Sequence, residues 1–255
     1  MVKVRLLQLG ALAAVSLLWA LIAAVGLVSS TALPGPASVA AALGDLLGSG
    51  AFWQSTGETL RGAVTGLLVA IAVGIPVGLV TGVYAAAEES SRLLMEILRS
   101  FPVIALLPVF LLVLGSTPGM KATVVFLACV FPVLLQAQYG ARSVSQSVHE
   151  TVRGYRIPRM LRMRRVVLPA AAPSIMTGLR LAATTSVLVS IGVEVLTTLP
   201  GMGHMIMESQ QAGASAEAYA YILTAGAIGY TITLLAQRAE RRLLRWRPPA
   251  HAGEE

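Results

Sequence analysis

The residues best equipped for chemistry lie between positions 149 and 180. Seven arginines fall from Arg153 to Arg180, Glu150 precedes them, and Leu168-Pro169 closes the basic part. Long apolar runs flank the segment on both sides. An arginine keeps its charge at any physiological pH. The stretch therefore stays out of hydrocarbon and faces water on one side of a membrane. Two uses fit that placement. Arg159, Arg162, Arg164 and Arg165 can rest on anionic lipid headgroups, as basic amphipathic segments do. Alternatively, short helices on either side of Pro158, with Leu161, Val166 and Val167 as apolar content, can dock on a soluble partner. At the head of the segment, Glu150 is placed to cap exposed N–H groups and to complement a helix dipole.

Other reactive groups are sparse. Lys3 and Lys121 are the only lysines, and neither follows the glycine spacing of a phosphate-cradling loop. No ATP hydrolysis is expected from this chain. His149, His204 and His251 lie in three separate segments. His204 and Glu208 have helical ligand spacing without an evident third ligand, so no metal site is expected. No nucleophile–histidine–acid set is visible, and no cofactor is expected on the chain itself. Glu58 and Arg61 are spaced for a local ion pair. Glu194 stands out, because an ionisable residue inside an apolar run is a functional candidate. It reads either as a structural hydrogen-bonding group or as part of a translocation or gating path, with Pro102 and Pro108 as further candidates for that path.

The elements that must carry these residues are membrane helices. Of 255 residues, 56% are hydrophobic and 12% charged, where a soluble domain carries roughly 25% charged residues. Mean hydropathy is +0.76. Runs long enough to span, about 20 residues each, occur near 6–28, 60–86, 98–115, 121–138, 179–199 and 218–236. The first is read as a retained helix. Its apolar part exceeds the roughly 7–15 residues of a secretory signal, and no small-residue cleavage site follows. Pro102, Pro108 and Pro132 interrupt the third and fourth. Cys129 is the single cysteine and lies in an apolar run, so no disulfide forms within the chain.

With six spans and a cytoplasmic N-terminus, every basic residue of the 19 except Arg61 and Lys121 falls on the cytoplasmic side. That is the asymmetry expected of cytoplasmic loops. It places both termini and the 149–178 segment in the cytoplasm. It also accounts for the net charge of +7 without a nucleic-acid partner. The tail 238–247 reads as an anchor beside the membrane.

Within the second span, Gly62, Gly66, Ala70, Gly74, Gly78 and Gly82 recur every fourth residue. Such spacing lets helix backbones approach closely in lipid. It predicts either packing inside one subunit or a surface between subunits. Pro76 in the same span can add a kink.

The 149–180 segment resembles the cytoplasmic loop of the ABC-importer permeases, the binding-protein-dependent inner-membrane components. That loop begins Glu-Ala-Ala, carries a Gly six residues after the Glu, and ends in Leu-Pro. Glu150 matches its start; Val166-Val167-Leu168-Pro169, Pro173 and Gly178-Leu179-Arg180 match its end. Further pieces resemble the sulfonate, taurine and nitrate branch: Leu33-Pro34-Gly35-Pro36 with Val39, Thr59-Leu60-Arg61, Arg99-Ser100-Phe101-Pro102, Ala105-Leu106-Leu107-Pro108 with Gly115, and Glu194 followed by Gly201-Met202-Gly203. Thr151 and Val152 replace the two alanines. Arg156 stands at the Gly position, and a Gly occurs instead at 154.

The resemblance implies an all-α type I importer fold over residues 33–247, preceded by an N-terminal helix and the start of an outer segment (1–32) and followed by a tail (248–255). It implies that Glu150, Thr151, Val152, Arg153, Gly154, Tyr155, Arg156, Ile157, Pro158 and Leu161 couple the chain to a separate cytoplasmic ATPase that binds the ATP. It implies an extracytoplasmic binding protein, a second permease copy, and a place in the bacterial inner membrane surrounded by lipid. The solute expected from that branch is a sulfonate, nitrate, cyanate, or an aromatic or vitamin-precursor molecule. An ion-coupled secondary transporter is the alternative reading, and it would need coupling groups near the membrane midplane.

Overall fold

The computed structural model describes residues 2–26, 28–29 and 31–244. Arg245, Arg247, His251 and the 248–255 tail lie outside them. Eleven α-helices follow in chain order, and no strand occurs among the described residues. They are α1 (Val2–Val25), α2 (Pro36–Leu47), α3 (Gly50–Val83), α4 (Ala85–Ser100), α5 (Leu107–Leu114), α6 (Pro118–Arg142), α7 (Gln146–Gly154), α8 (Arg159–Arg162), α9 (Leu168–Leu196), α10 (Met202–Gln211) and α11 (Ser215–Leu243).

Among the described residues, four helical runs are long and apolar enough to cross a membrane: α3, α6, the run Arg159–Leu196, and α11. A fifth crossing results if α4 and the helical stretch Val103–Leu114 count as one broken span, and α1 contributes a shorter apolar stretch, Ala13–Val25. The span expected over 98–115, with interruptions at Pro102 and Pro108, is broken at the first proline and not at the second. Ala85–Ser100 and Val103–Leu114 are bent by 78° to one another, with the break inside the expected span. The cause is Pro102, which disfavours helical torsions in the residue before it. Phe101 accordingly leaves the helix at φ −73°, ψ 127°. Pro108 breaks nothing, because it sits in the first turn of α5, where its missing N–H is no loss. The segments 31–57 and 200–217, expected on the outer side, are also more ordered than their lack of apolar length indicated. Pro36 opens α2 after an extended Gly35, and α10 follows Gly201.

The chain forms two compact units, one of Met1–Thr59 with Glu194–Ala227, the other of Leu60–Val193 with Ile228–Glu255. In the first, Phe52 and Tyr221 are buried with ring centroids 5.5 Å apart, and Trp19 Nε1 donates to the Pro34 carbonyl at 3.0 Å.

In the second unit the glycine row resolves its own ambiguity. A methyl added at Gly66 would lie 2.6 Å from Val125 Cβ, at Gly74 3.1 Å from the Val130 carbonyl oxygen, and at Gly82 2.6 Å from Ala141 Cβ. Gly78 meets the Leu134 carbonyl and Gly62 the Lys121 side chain. The row packs α3 on α6 inside one chain; it is not a face left for another subunit. On the other side of α6, Gly140 lies against Ala171, and Gly178 against Gln136 and the Pro132 carbonyl. Leu79, Ala137, Ala141, Val167, Ala171 and Ile175 complete this core.

Candidate functional site

The predicted coupling segment is α7, a turn, and α8. Helix α7 starts at Gln146 after an extended Ser145. Glu150 is thus its fifth residue, with its carboxylate accepting from Gln146 Nε2 at 3.1 Å. The expectation that Glu150 caps the start of the helix is corrected: the chain is already helical one turn earlier. Val152 is 6% exposed and anchors the helix inward. Glu150, Thr151, Arg153, Tyr155, Arg156, Pro158 and Leu161 are exposed, and Ile157 is half-buried.

How α7 ends explains the family glycine. The Arg156 N–H donates to the Arg153 carbonyl at 3.0 Å and the Ile157 N–H to the Val152 carbonyl at 3.1 Å. This pair of bonds is a Schellman C-cap, whose C′ residue takes left-handed torsions and is usually glycine. That residue here is Arg156, at φ 50°, the only non-glycine with positive φ among the described residues. An L-residue pays roughly 1–2 kcal/mol for that conformation. Gly154 does not substitute for it: it is helical, with open space where a Cβ would be. Apolar Val152 and Ile157 occupy the two positions that such a cap brings together.

Beyond Pro158 the helix resumes and does not stop at Leu168-Pro169, where the basic segment was expected to close. Met163–Val167 form a π-helical turn, with the Leu168 N–H bonded to the Met163 carbonyl. Proline lacks an N–H and crowds the carbonyl four residues back; one wider turn just before Pro169 relieves that crowding. The run from Arg159 to Leu196 is a 38-residue helical unit. The fifth span, expected from 179, thus begins in the basic segment itself. Two exposed side chains frame the turn: Tyr155 at 81% and Met160 at 71%. Met160 was not among the residues singled out from sequence; its neighbours' charge masked it.

The first unit holds a second constellation. Glu194 is 0% exposed. Thr59 Oγ1 donates to its Oε2 at 2.8 Å and the Gly203 N–H at 3.0 Å, while the Met202 N–H donates to Thr59 Oγ1 at 2.9 Å. A carboxylate and a hydroxyl therefore satisfy the first N–H groups of α10, and the positive end of the helix dipole faces the charge. Gly201 packs against the carboxyl group so closely that a Cβ there would overlap it. In the sequence, Thr59 belonged to one motif fragment and Glu194 with Gly201–Gly203 to another. Their convergence was not legible there, because 135 residues separate Thr59 from Glu194.

Pro102 leads into the 3₁₀ turn Val103–Leu106, where Ile104 Cδ1 comes within 3.8 Å of the position of a Gly192 Cβ. Arg180 Nη1 bonds Glu240 Oε2 at 3.3 Å, tying α9 to the basic end of α11.

The model of the family described as "Binding-protein-dependent transport system inner membrane component" matches residues 74–246. The putative aliphatic sulfonates transport permease protein SsuC of Bacillus subtilis is 28% identical over 230 residues, covering 90% of this chain and 83% of that protein. The nitrate import permease protein NrtB of Leptolyngbya laminosa is 29% identical over 186 residues, 73% of this chain and 66% of its own. Among solved structures, a chain of the MetNI methionine ABC transporter in inward-facing conformations superposes with a TM-score of 0.67 at 19% identity, covering 76% of this chain and 97% of that one. The last likeness concerns the fold.

Proposed function

The chain belongs to the family of binding-protein-dependent inner-membrane transport components, as a permease subunit of an ATP-driven importer, and we propose that its solute is a small oxyanion. The sulfonate and nitrate named for its relatives support that class. The working assembly is two copies of this chain with two cytoplasmic ATPase subunits, fed by an extracytoplasmic binding protein. Both termini and residues 140–178 are cytoplasmic, as the asymmetry of basic residues requires. ATP is bound and hydrolysed by the partner, since neither lysine of this chain lies in a phosphate-cradling loop.

One observation carries the coupling role: α7 ends in an exposed turn, and the helix leaving that turn is continuous from Arg159 to Leu196. A partner gripping the turn moves a stiff lever that becomes a span. A flexible loop would absorb the same motion. Aromatic and arginine side chains such as Tyr155 and Arg153 are the types that anchor protein interfaces. ATP-driven closure of the ATPases then biases the spans between two packed states.

Co-expression with its cognate ATPase tests the reading. The two should co-purify one to one, and proteoliposomes also given the binding protein should accumulate sulfonate or nitrate only with ATP. Uptake by this chain alone under a proton or sodium gradient would overturn it in favour of a secondary transporter.

A further inference from the structure

Helix α4 is amphipathic, and its polar side borders an open cleft against α6. Glu88, Arg92, Met95, Glu96 and Arg99 line a cleft shared with Leu135, Gln138, Tyr139 and Arg142 of α6, with a volume of about 390 Å³. These positions recur at the spacing of one helical face on each helix. The opposite side of α4 carries exposed Leu93, Leu94 and Ile97. Arg92, Glu96 and Arg99 are exposed in the cleft and Glu88 is half-buried, so a solute can reach the charges.

The charges in the cleft are not all spent. Arg142 pairs with Glu88, and Arg99 Nη2 lies 3.6 Å from Glu96 Oε1. Arg92 has no ion-pair or hydrogen-bond partner among the described residues. Three arginines against two glutamates leave one positive charge. Gln138 is 7% exposed, and its carboxamide has no protein partner among the described residues, yet it is not sealed off, because it borders the cleft. A buried amide ordinarily finds a partner; here the cleft is where one would sit.

We propose that this cleft is an anion-binding vestibule at the cytoplasmic end of the spans, taking a small oxyanion such as a sulfonate or nitrate. The inference rests on the proposed function for the identity of the solute. Arg92 supplies the charge and a planar pair of N–H donors suited to two oxygens of one anion. Gln138 Nε2 and the Tyr139 hydroxyl add neutral donors. Glu88 and Glu96 offset the charge of the other two arginines, so the net charge of the cleft is one. A site of that strength suits a pathway, which must admit its ion and also release it.

The test uses the full chain in nanodiscs of phosphatidylcholine alone, titrated calorimetrically with ethanesulfonate, nitrate and inorganic phosphate. Ethanesulfonate and nitrate should bind saturably and compete with each other. Affinity should fall at least tenfold in Arg92→Gln and in Gln138→Leu, recover in part in Arg92→Lys, and stay unchanged in Arg241→Gln, which removes the same charge from an exposed position of α11. Equal binding by Arg92→Gln and the unaltered chain would overturn the proposal. So would binding of phosphate alone. A third contrary result is no sulfonate or nitrate binding together with Arg92-dependent retention of phosphatidylglycerol, which would make the cleft a lipid site. ATPase co-purification, measured on the same variants, reports on the importer reading separately, because the titration needs no ATPase.

Discussion

Glu194 and Glu150 are both glutamates that the sequence singles out, and the structure treats them in opposite ways. Glu194 is buried at the N-terminus of α10 and bonded to Thr59 and the Gly203 N–H. Glu150 stands in the open on α7 and touches only Gln146 through a hydrogen bond. A buried charge is costly unless satisfied, so the surroundings of Glu194 are fixed by folding. An exposed carboxylate on a capped helix costs almost nothing to keep, so Glu150 contributes little to the chain's own stability. The difference separates a residue whose surroundings the fold satisfies from one that, on the proposed function, meets a partner.

The largest expected effect lies on the building side. Gly78→Leu should cost about 3 kcal/mol or more, since overpacking alone costs roughly 1–3 kcal/mol and here the added atoms meet the Leu134 backbone carbonyl. Val73→Leu, at an exposed position of the same helix, should be neutral. Membrane abundance and the detergent-stable fraction would be compared; equal behaviour would mean that the glycine row is incidental.

Next comes Glu194→Ala. Thr59 Oγ1 retains the Ser55 carbonyl at 3.2 Å as an alternative acceptor, while the Gly203 N–H loses its acceptor, at a cost of about 2 kcal/mol. Glu194→Gln keeps an acceptor and should lose less than about 1 kcal/mol. Thermal unfolding in detergent reads both. A gating role without a structural one would reverse the pattern, with normal stability and altered transport in each variant.

Smaller still, and opposite in sign, is Arg156→Gly. Removing a left-handed arginine relieves roughly 1–2 kcal/mol, partly offset by the greater freedom of glycine in the unfolded chain. A net gain of about 0.5 kcal/mol should appear as slower hydrogen exchange across residues 152–157. Faster exchange there would show that the Arg156 side chain contributes more than its torsions cost.

The membrane class, the basic segment and the family fragments were legible because apolar length, charge and short motifs are local properties. The bend at Pro102 was legible only as an interruption, since a proline can end a helix, as Pro102 does, or start one, as Pro108 does. The destination of the glycine row depended on α6, whose small and β-branched residues opposite it carry no mark of partnership in sequence. Glu150 was misplaced within its helix because Ser145 and Gln146 signal an N-terminus weakly, whereas the motif begins at the glutamate. The use of Arg156 as a C-cap could be read only from its φ.

The coupling surface is the centre of the account, and ATP-driven uptake by Glu150→Lys tests it most directly. Glu150 is exposed, so stability should stay within about 0.5 kcal/mol and membrane abundance should be unchanged. In proteoliposomes holding the ATPase and binding protein, uptake should fall to background in Glu150→Lys and remain near normal in Arg164→Gln with Arg165→Gln. Normal uptake in the first with loss in the second would make the segment a lipid anchor and contradict the coupling role.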